Sequence, residues 1–439
     1  MAESFRSAES ICPVCLATVP AALLAEGDNV TLEGRCPDHG SWQTCVWRGA
    51  PSLESWCGGI STAPAQQTCT VVLEVTLRCD LGCPVCFAES GPTSAEPDPP
   101  LPRLTEMLEH LYKSEGAVNL QLSGGEPTLR EDLPEVIAAA CAAGFTFVQL
   151  NTNGLRLAAE EGYAERLRGA GLVSVFLQFD GVTDETYRAL RGRPLAKKKL
   201  RALERCAEAG LAVVLVPTVV PGINQHELGS LVRLATAWPG VVRGLHLQPV
   251  SYFGRYPGSP LARLTLPEAL DLLEEQTRGE VSETDFAPSC CEHARCSFRA
   301  RYWVRDGGRL EVVRSESSCC GPQPGEASRR AVAATSRQWS RRPRGPGDMG
   351  AQPAEGQLRC ASPADPQPRD GLDRFLEEAD RMLTISGMLF QDAWSVDLER
   401  VRRCCVKSLT PDGGLVSFCM WNLTSESGRR FYPRGERPR

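Results

Sequence analysis

Three closely spaced cysteines, Cys79, Cys83 and Cys86, are the residues of this chain best suited to chemistry. A C-x3-C-x2-C loop can ligate three irons of a cubane cluster, and it leaves the fourth iron without a protein thiolate. A four-cysteine electron-transfer cluster has no such open iron. Three cysteines alone could also be half of a zinc site, so this motif by itself does not choose between iron and zinc.

A second motif, Gly124-Gly125-Glu126-Pro127, follows the next predicted strand. Paired glycines let the backbone approach a ligand closely, and the Glu126 carboxylate can accept hydrogen bonds from an ammonium group. Taken alone, the string also fits a strand-to-helix turn with a capping acid. Together, the two motifs favour a cluster whose open iron chelates the amino and carboxylate groups of S-adenosylmethionine (SAM). One-electron reduction of the bound sulfonium would then release a 5′-deoxyadenosyl radical.

Short apolar strands alternate with amphipathic helical segments between residues 70 and 250. This alternation predicts a parallel, barrel-like sheet, in which reactive residues lie at the carboxyl ends of the strands. Both motifs fall at such ends, which supports the assignment. The predicted strands are Thr70–Leu77, Val118–Ser123, Thr146–Thr152, Ser174–Asp180, Ala212–Val219 and Gly244–Val250, and the clearest helices are Leu104–Lys113, Leu133–Ala143 and Leu195–Ala209.

The overall composition is that of a globular protein, with 42% hydrophobic residues in a chain of 439. The net charge of −6 argues against a nucleic-acid partner, since such proteins are usually basic. The chain shows neither a secretory signal pattern nor an apolar stretch long enough for a transmembrane segment, so we expect a soluble, cytoplasmic protein. In a reducing compartment, its 20 cysteines point to metal centres rather than disulfides.

The N-terminal region contains two metal-binding knuckles, Cys12-Pro-Val-Cys15 and Cys36-Pro-Asp-His39. A tetrahedral ion needs four ligands on two tight turns, and this pairing supplies them. Zinc is the default metal for mixed thiolate and imidazole ligands, and a mononuclear iron is possible. The alternative is a pair of turns whose cysteines bind nothing.

The cysteine loop and the Gly124–Pro127 motif resemble those of the radical SAM superfamily, over roughly Thr70 to Ser282. This resemblance implies a partial (βα)6 barrel, a [4Fe–4S] cluster, and a flavodoxin or ferredoxin as electron donor. It also implies SAM or substrate contacts from later strand ends, although an ordinary strand-end role is the alternative for each residue. The candidates are Asn151, Asn153, Gln178, Asp180 and Gln248.

The whole arrangement is similar to TrsS-type radical SAM (seleno)proteins, which are related to tetraether lipid synthase and methylene-tetrahydrofolate-linked radical methylases. Relatives of this type carry additional iron–sulfur clusters, but here the element before the first barrel strand lacks a cysteine and a histidine. Cys57 and Cys69 are therefore only weak candidates, and any extra cysteine could instead be a buried or free thiol. The implied auxiliary ligands are Cys290, Cys291, Cys296, Cys404, Cys405 and Cys419.

The predicted organisation is an α/β protein, a partial (βα)6 radical SAM barrel with an N-terminal metal ribbon and a C-terminal cysteine-rich extension. Residues 322–371 are rich in Pro, Gly and Arg and predict a disordered linker. The predicted segments are a ribbon (1–56), a connector (57–69), the barrel (70–282), a cysteine-rich auxiliary segment (283–321), the linker (322–371) and a C-terminal cysteine-containing segment (372–439).

The sequence therefore predicts an enzyme that uses the radical to remove hydrogen from an unactivated carbon of a lipid or small organic molecule. C–C bond formation or radical methylation is the expected outcome. One alternative is a peptide-modifying radical SAM maturase, which would be expected to have a peptide-binding winged-helix segment where this chain has its ribbon. The other is a non-enzymatic metal-binding protein or electron carrier, which would have no use for the Gly124–Pro127 motif.

Overall fold

The computed structural model arranges the strands of the chain in two separate sheets. One lies near the N-terminus, and the other combines the predicted barrel strands with strands from the C-terminal part. No helix among the described residues is long and apolar enough to cross a membrane. The described residues are 3–57, 68–92, 97–256, 262–289, 291–314, 326–340 and 381–433.

The N-terminal sheet is an antiparallel meander of four strands: β1 (Glu3–Ile11), β2 (Thr18–Glu26), β3 (Asn29–Cys36) and β4 (Gly40–Trp47). Alternate side chains of β3, such as Val30 and Leu32, are buried, so one face of the sheet packs inward. The turns from β1 to β2 and from β3 to β4 carry the two predicted knuckles. A short helix, α1 (Leu53–Cys57), follows the sheet.

The predicted barrel is present as six parallel strands that lie side by side in chain order. The strand predicted over Ala212–Val219 is divided at Pro217, which has no N–H to donate to a neighbouring strand. The six strands are β5 (Thr70–Thr76), β6 (Asn119–Gly124), β7 (Val148–Thr152), β8 (Ser174–Gln178), β9 (Ala212–Val216) and β11 (Val242–Pro249), with the two-residue β10 (Thr218–Val219) beside β11.

Helices between these strands, and one after β11, cover the outside of the sheet through narrow apolar stripes. Each buried leucine of such a stripe contributes about 1.5–3 kcal/mol relative to an exposed one. The helices are α2 (Leu101–Glu115), α3 (Leu133–Ala143), α4 (Leu155–Ala159), α5 (Tyr163–Gly169), α6 (Asp184–Arg191), α7 (Ala196–Glu208), α8 (Leu228–Thr236) and α9 (Leu266–Thr277).

The C-terminal extension adds strands to both edges of the barrel sheet. Beside β11 lie β14 (Met382–Met388), β12 (Ser297–Val304) and β13 (Leu310–Val312), whereas β15 (Val406–Leu409) and β16 (Leu415–Ser417) extend the sheet beyond β5. Because β15 runs parallel to β5, it brings Cys405 next to Cys69, the residue before β5. Two short helices, α11 (Leu398–Arg402) and α12 (Phe418–Trp421), complete this region.

The prediction of a disordered linker over 322–371 is wrong for part of that stretch, which contains the helix α10 (Glu326–Trp339). Its residues Ala331 and Val332 pack against buried cysteines, and Trp339 packs against Phe176 inside the barrel. The segment has few large apolar residues, but an alanine-rich helix needs only a narrow apolar stripe to dock. Residues 322–325 and 341–371 of the predicted linker lie outside the described residues.

Candidate active site

The cysteine loop begins where β5 ends, and Cys79, Cys83 and Cys86 all line one cavity at the carboxyl ends of the barrel strands. Cys83 is buried, and the other two are half-buried. Burial raises the pKa of Cys79 to about 12 and also raises the pKa of Cys83. Because metal ligation requires the thiolate, iron binding at this loop must release protons.

Arg255 fixes the cysteine loop from the segment after β11. Its main chain exchanges two hydrogen bonds with Cys86, at 2.8 and 3.0 Å. Its guanidinium donates to the carbonyl oxygens of Cys83 and Ser90, both at 2.7 Å. Arg255 therefore binds the cysteine loop at Cys83, Cys86 and Ser90. No sequence motif indicates this role.

The two glycines of the second motif allow the end of β6 to lie directly on the start of the cysteine loop. A Cβ atom on Gly124 would lie 2.1 Å from the carbonyl oxygen of Thr76, and one on Gly125 would lie 2.1 Å from that of Arg78. The same approach lets the Gly125 amide donate to the Thr76 carbonyl at 2.8 Å. The two glycines thus allow the ends of β5 and β6 to pack closely, and they also line the cavity.

Glu126 is fully buried and ties the ends of β6 and β7 together. One carboxylate oxygen accepts from the hydroxyls of Thr128 (2.6 Å) and Thr152 (2.7 Å), and the other accepts from the Asn153 amide (2.6 Å). Burial raises the pKa of Glu126, against the effect of these hydrogen bonds. The carboxylate lines the cavity, whereas Pro127 begins a short 3-10 turn and does not.

Asn153 uses its side chain to hold the cysteine loop. Its amide nitrogen donates to Asp80 at 2.7 Å, and its amide oxygen accepts from the Leu155 N–H at 2.9 Å. Asn151, two residues earlier, instead donates to the side-chain oxygen of Gln121 at 3.4 Å, and both asparagines line the cavity. The two asparagines predicted as a SAM pair therefore differ in what they touch.

Gln178 and Gln248, which the resemblance predicted to contact SAM or substrate, both line the cavity. The side-chain oxygen of Gln178 accepts a hydrogen bond from Lys199 at 3.2 Å, and Lys199 also donates to the Asn153 carbonyl at 2.6 Å. Burial lowers the pKa of Lys199 to about 8. Sequence reasoning missed this lysine, although its place in the buried stripe of α7, with Ala202, could have revealed it.

Asp180 is not among the residues that line the cavity, and its predicted contact with SAM or substrate stays a prediction. Its carboxylate accepts two hydrogen bonds from Arg191, and it also accepts from the Thr218 N–H at 3.1 Å. Arg191 in turn lines the cavity and donates to the Val85 carbonyl of the cysteine loop at 3.2 Å. A buried carboxylate needs a paired cation to remain charged, and Arg191 provides that cation for Asp180.

The cavity has a volume of about 260 Å³ and extends from the cysteine loop to an aromatic floor inside the barrel. Phe176, His246 and Trp339 form this floor, with ring centroids 5.5 to 5.9 Å apart. The three cysteines at one end of the cavity thus face a mostly apolar space at the other end. This arrangement suits a reaction that holds a small substrate next to a reactive cofactor.

Comparison with known proteins agrees with this geometry. The radical SAM superfamily model matches residues 73–235, and the HMPTM N-terminal zinc ribbon model matches residues 5–48. The chain is 30% identical to 7,8-dihydro-6-hydroxymethylpterin dimethyltransferase of Methanocaldococcus jannaschii, over 94% of this chain and 92% of that protein. This chain belongs to the radical SAM superfamily.

Other relatives of this radical SAM enzyme match a smaller share of its length. A probable GTP 3′,8-cyclase of Archaeoglobus fulgidus is 27% identical over 61% of this chain and 93% of that protein. Among solved structures, Streptococcus suis SuiB bound to its precursor peptide SuiA has 16% identity and a TM-score of 0.41, over 48% of this chain and 46% of that one.

The zinc ribbon of this radical SAM enzyme is assembled as predicted, with ligand atoms of Cys12, Cys15, Cys36 and His39 within 4.8 Å of one another. The Cys15 and Cys36 sulfurs are 3.8 Å apart, and Cys36 Sγ lies 3.4 Å from His39 Nδ1. The hydrogen bond from His39 lowers the pKa of Cys36 to about 6. These are the donors and spacing that one tetrahedral zinc ion requires.

The predicted auxiliary cysteines divide between two places. Cys291 and Cys405 meet Cys69 and Glu292, a set that the sequence prediction did not contain. Cys296 lies elsewhere, 3.0 Å from the Arg400 guanidinium. Cys290 falls outside the described residues.

Cys404 and Cys419 both have raised pKa values. Burial, followed by the charges of Cys419 and Cys296, raises the pKa of Cys404 well above its usual range. Burial, with a smaller effect of Cys296, raises the pKa of Cys419 to about 12. Burial raises the pKa of Cys57, and the charge of Cys296 raises it further by a smaller amount. Cys404 is affected in the same way by Cys69 of the first group.

Proposed function

We propose that this radical SAM enzyme methylates a carbon of a small, uncharged, planar heterocycle of the pterin type. Cys79, Cys83 and Cys86 would hold a [4Fe–4S] cluster, and SAM on its open iron would supply a 5′-deoxyadenosyl radical that takes the substrate hydrogen, leaving methionine and 5′-deoxyadenosine. The added carbon would come from a separate methylene donor of the reduced-folate type, and the electron donor would supply both the electron that cleaves SAM and the electron that, with protons, completes the methyl group. The observation that carries the proposal is the floor of the cavity, where aromatic rings and amide side chains lie opposite the cysteine loop.

The aromatic floor favours a flat ring as the substrate. Trp339 and His246 meet edge to face with centroids 5.9 Å apart, and Phe176 lies 5.5 Å from His246. Burial lowers the pKa of His246 to about 4, so its ring is neutral at physiological pH. Stacking and edge contacts on such rings contribute about 0.5–1.5 kcal/mol beyond the area that they bury.

Polar atoms at the cavity wall suit the edge of a nitrogen heterocycle. The buried Trp339 Nε1 and Asn151 Oδ1 have no hydrogen-bond partner within the described part of the chain. One is a donor and the other an acceptor, as a ring with both ring nitrogens and N–H groups would need. Gln121 anchors this wall by donating to Gln149 at 2.9 Å. Leaving such atoms unpaired costs about 1–3 kcal/mol each, which a bound ring would recover.

The charge and the polarity of the cavity wall argue against two other substrate classes. Among the described lining residues, Arg191 carries the one permanent positive charge, and Asp180 neutralises it. A nucleoside triphosphate, as expected for a GTP cyclase, requires several unpaired cations. A long lipid chain requires an apolar wall, whereas Gln121, Gln178 and Gln248 line this cavity.

The similarity to a pterin dimethyltransferase over nearly the whole chain supports the same substrate class. Within the site, Gln178 and Gln248 contact SAM, and Asn151 lies between SAM and the ring. Asn153, Lys199 and Arg255 position the loop that holds the cluster. Cys296, Cys404 and Cys419, the auxiliary ligands that the family resemblance implies, are proposed to bind an auxiliary [4Fe–4S] cluster, and a flavodoxin or ferredoxin supplies electrons.

The test is substrate-dependent formation of 5′-deoxyadenosine under anaerobic, reducing conditions. Ring-deuterated 6-hydroxymethyl-7,8-dihydropterin should stimulate it, and deuterium should appear in the 5′-deoxyadenosine recovered by mass spectrometry. A Trp339→Leu variant should show a raised KM for the pterin, while Trp238→Leu, outside the cavity, should match the wild type. Deuterium transfer from a labelled lipid or from GTP, and none from the pterin, would contradict the proposed substrate.

A further inference from the structure

A second group of metal-binding side chains lies apart from the cysteine loop. The group consists of Cys69, Cys291, Glu292 and Cys405. We propose that these four residues form a mononuclear metal centre, with three thiolates and one carboxylate, in the wall of the substrate cavity. The inference concerns metal binding alone and does not depend on the proposed substrate.

The spacing of the ligand atoms fits one ion. Their donor atoms all lie within 4.8 Å of one another, and Cys69 Sγ is 3.0 Å from Cys405 Sγ and 3.5 Å from Cys291 Sγ. Tetrahedral bonds of about 2.3 Å place two sulfurs about 3.8 Å apart, so these two pairs would separate by about 0.8 and about 0.3 Å when the ion binds. In a cubane cluster each thiolate binds a different iron, so the sulfurs must be farther apart.

The zinc ribbon provides an internal comparison for this spacing. Its four ligands satisfy the same 4.8 Å limit, with 3.8 Å between the sulfurs of Cys15 and Cys36. The cysteines of the radical SAM loop, which bind a cubane cluster in the proposed function, do not form a group at that limit. The new group therefore resembles the site for a single ion.

The fold holds these ligands in place from several elements. The Cys69 amide donates to the Cys405 carbonyl at 2.9 Å, and the Cys69 carbonyl accepts from the Asn119 amide at 2.9 Å. Ala331 of α10 closes over the three cysteines, all of which are buried. Backbone hydrogen bonds and packing on this scale make a preformed site, which lowers the cost of ordering ligands around an ion.

Glu292 distinguishes this centre from a closed structural site. Its side chain lines the substrate cavity, whereas none of the three cysteines of the group does. Structural zinc sites are closed by four thiolate or imidazole ligands, and catalytic ones keep one position that can exchange. The coordination position of the Glu292 carboxylate is thus the one at which a molecule in the cavity can reach the ion. Three thiolates select a thiophilic divalent ion, zinc or iron.

A disulfide is the main chemical alternative. The 3.0 Å separation between Cys69 and Cys405 is longer than a disulfide bond of about 2.05 Å, and it leaves Cys291 beside the pair. A disulfide would also leave no role for the adjacent carboxylate. Counting thiols in the purified protein separates the two cases.

The experiment is metal, sulfide and thiol analysis of the full-length protein purified anaerobically. Cys405→Ser should lose about one zinc or iron per chain with no loss of acid-labile sulfide. Cys206→Ser, which alters a fully buried thiol of α7 outside every cluster, is the matched control and should keep the wild-type content. Glu292→Gln should retain the metal, and after cobalt substitution its visible spectrum should differ from that of the wild type.

Three results would overturn the proposal. One is metal content that stays unchanged in Cys405→Ser, and another is a Cys69–Cys405 disulfide in the anaerobic wild type. The third is loss of about four irons together with sulfide, which would assign these residues to a cluster. If Cys405→Ser fails to fold, the Glu292→Gln spectrum and the wild-type metal count still decide between these outcomes.

Discussion

Arg191 donates hydrogen bonds from two guanidinium nitrogens to the two carboxylate oxygens of Asp180, at 2.6 and 2.7 Å, and both side chains are buried. The same arginine reaches the Val85 carbonyl between two of the cluster cysteines. An ion pair inside the barrel is thereby linked to the loop that carries the chemistry. Arg191 lines the cavity and holds the cysteine loop, whereas Asp180 acts only by pairing with Arg191.

Asp180→Asn should lower the free energy of unfolding by about 3–5 kcal/mol, because it leaves the Arg191 charge buried without a partner. Chemical denaturation measures the change. The matched control is Glu204→Gln, which breaks the exposed pair with Arg201 (2.8 Å) and should change stability by less than about 1 kcal/mol. Equal effects of the two substitutions would show that the buried pair is not structurally important.

Arg255→Ala should lower the iron content of the reconstituted protein, because the carbonyls of Cys83 and Ser90 lose their shared donor. Arg255→Lys should rescue it only in part, since one ammonium cannot reproduce the fork of a guanidinium. Iron analysis after anaerobic reconstitution provides the measurement. Arg233→Ala, which removes an exposed side chain bound to Ser230, is the control, and iron loss in both variants would contradict a local effect.

His246 should make the protein less stable in acid. Its pKa is about 4 in the folded state and about 6.5 when unfolded, so between these values the unfolded chain binds more protons. Stability therefore falls as pH drops from about 6.5 towards 4, by an amount on the order of 3 kcal/mol at the lower end. His246→Gln should remove this part of the pH dependence in denaturation at pH 7 and pH 5. An unchanged pH profile would mean that His246 is not held neutral.

Cys12→Ser should remove about one zinc per chain, because the three remaining ribbon ligands cannot complete a tetrahedral site. The ribbon also contacts the C-terminal segment, where the Ser10 hydroxyl donates to the Val396 carbonyl at 2.7 Å. Loss of the zinc should therefore increase proteolysis of the C-terminal segment near Val396. Cys45→Ser changes a ribbon cysteine outside the ligand set and should keep the zinc. Zinc retention in Cys12→Ser would contradict the assigned ligands.

The barrel was predictable because its strands and helices differ in apolar periodicity along the chain. Hairpin turns and paired knuckles likewise revealed the ribbon. The helix α10 was missed because its alanine-rich stripe is stabilised by packing against cysteines and aromatic rings that are distant in the sequence. The parallel pairing of β15 with β5 was equally hidden, since it joins residues more than three hundred positions apart.

The candidate site was predictable where a local motif exists and not where distant residues converge. Cys79, Cys83, Cys86 and Glu126 come from short motifs, and all line the cavity. The sequence could not reveal that Asp180 would be paired with Arg191, because that depends on the packing of α6. Cys69 was a weak candidate from its sequence context, and only the sheet register places it beside Cys405.

The most direct test of the account is to reconstitute the protein anaerobically, add dithionite and SAM, and measure 5′-deoxyadenosine by mass spectrometry. The control changes Cys79, Cys83 and Cys86 together to Ala. The account predicts 5′-deoxyadenosine from the wild type, more of it with 6-hydroxymethyl-7,8-dihydropterin, and none from the triple variant. Wild-type protein that holds a reducible cluster and yet forms no 5′-deoxyadenosine with the pterin present would contradict it.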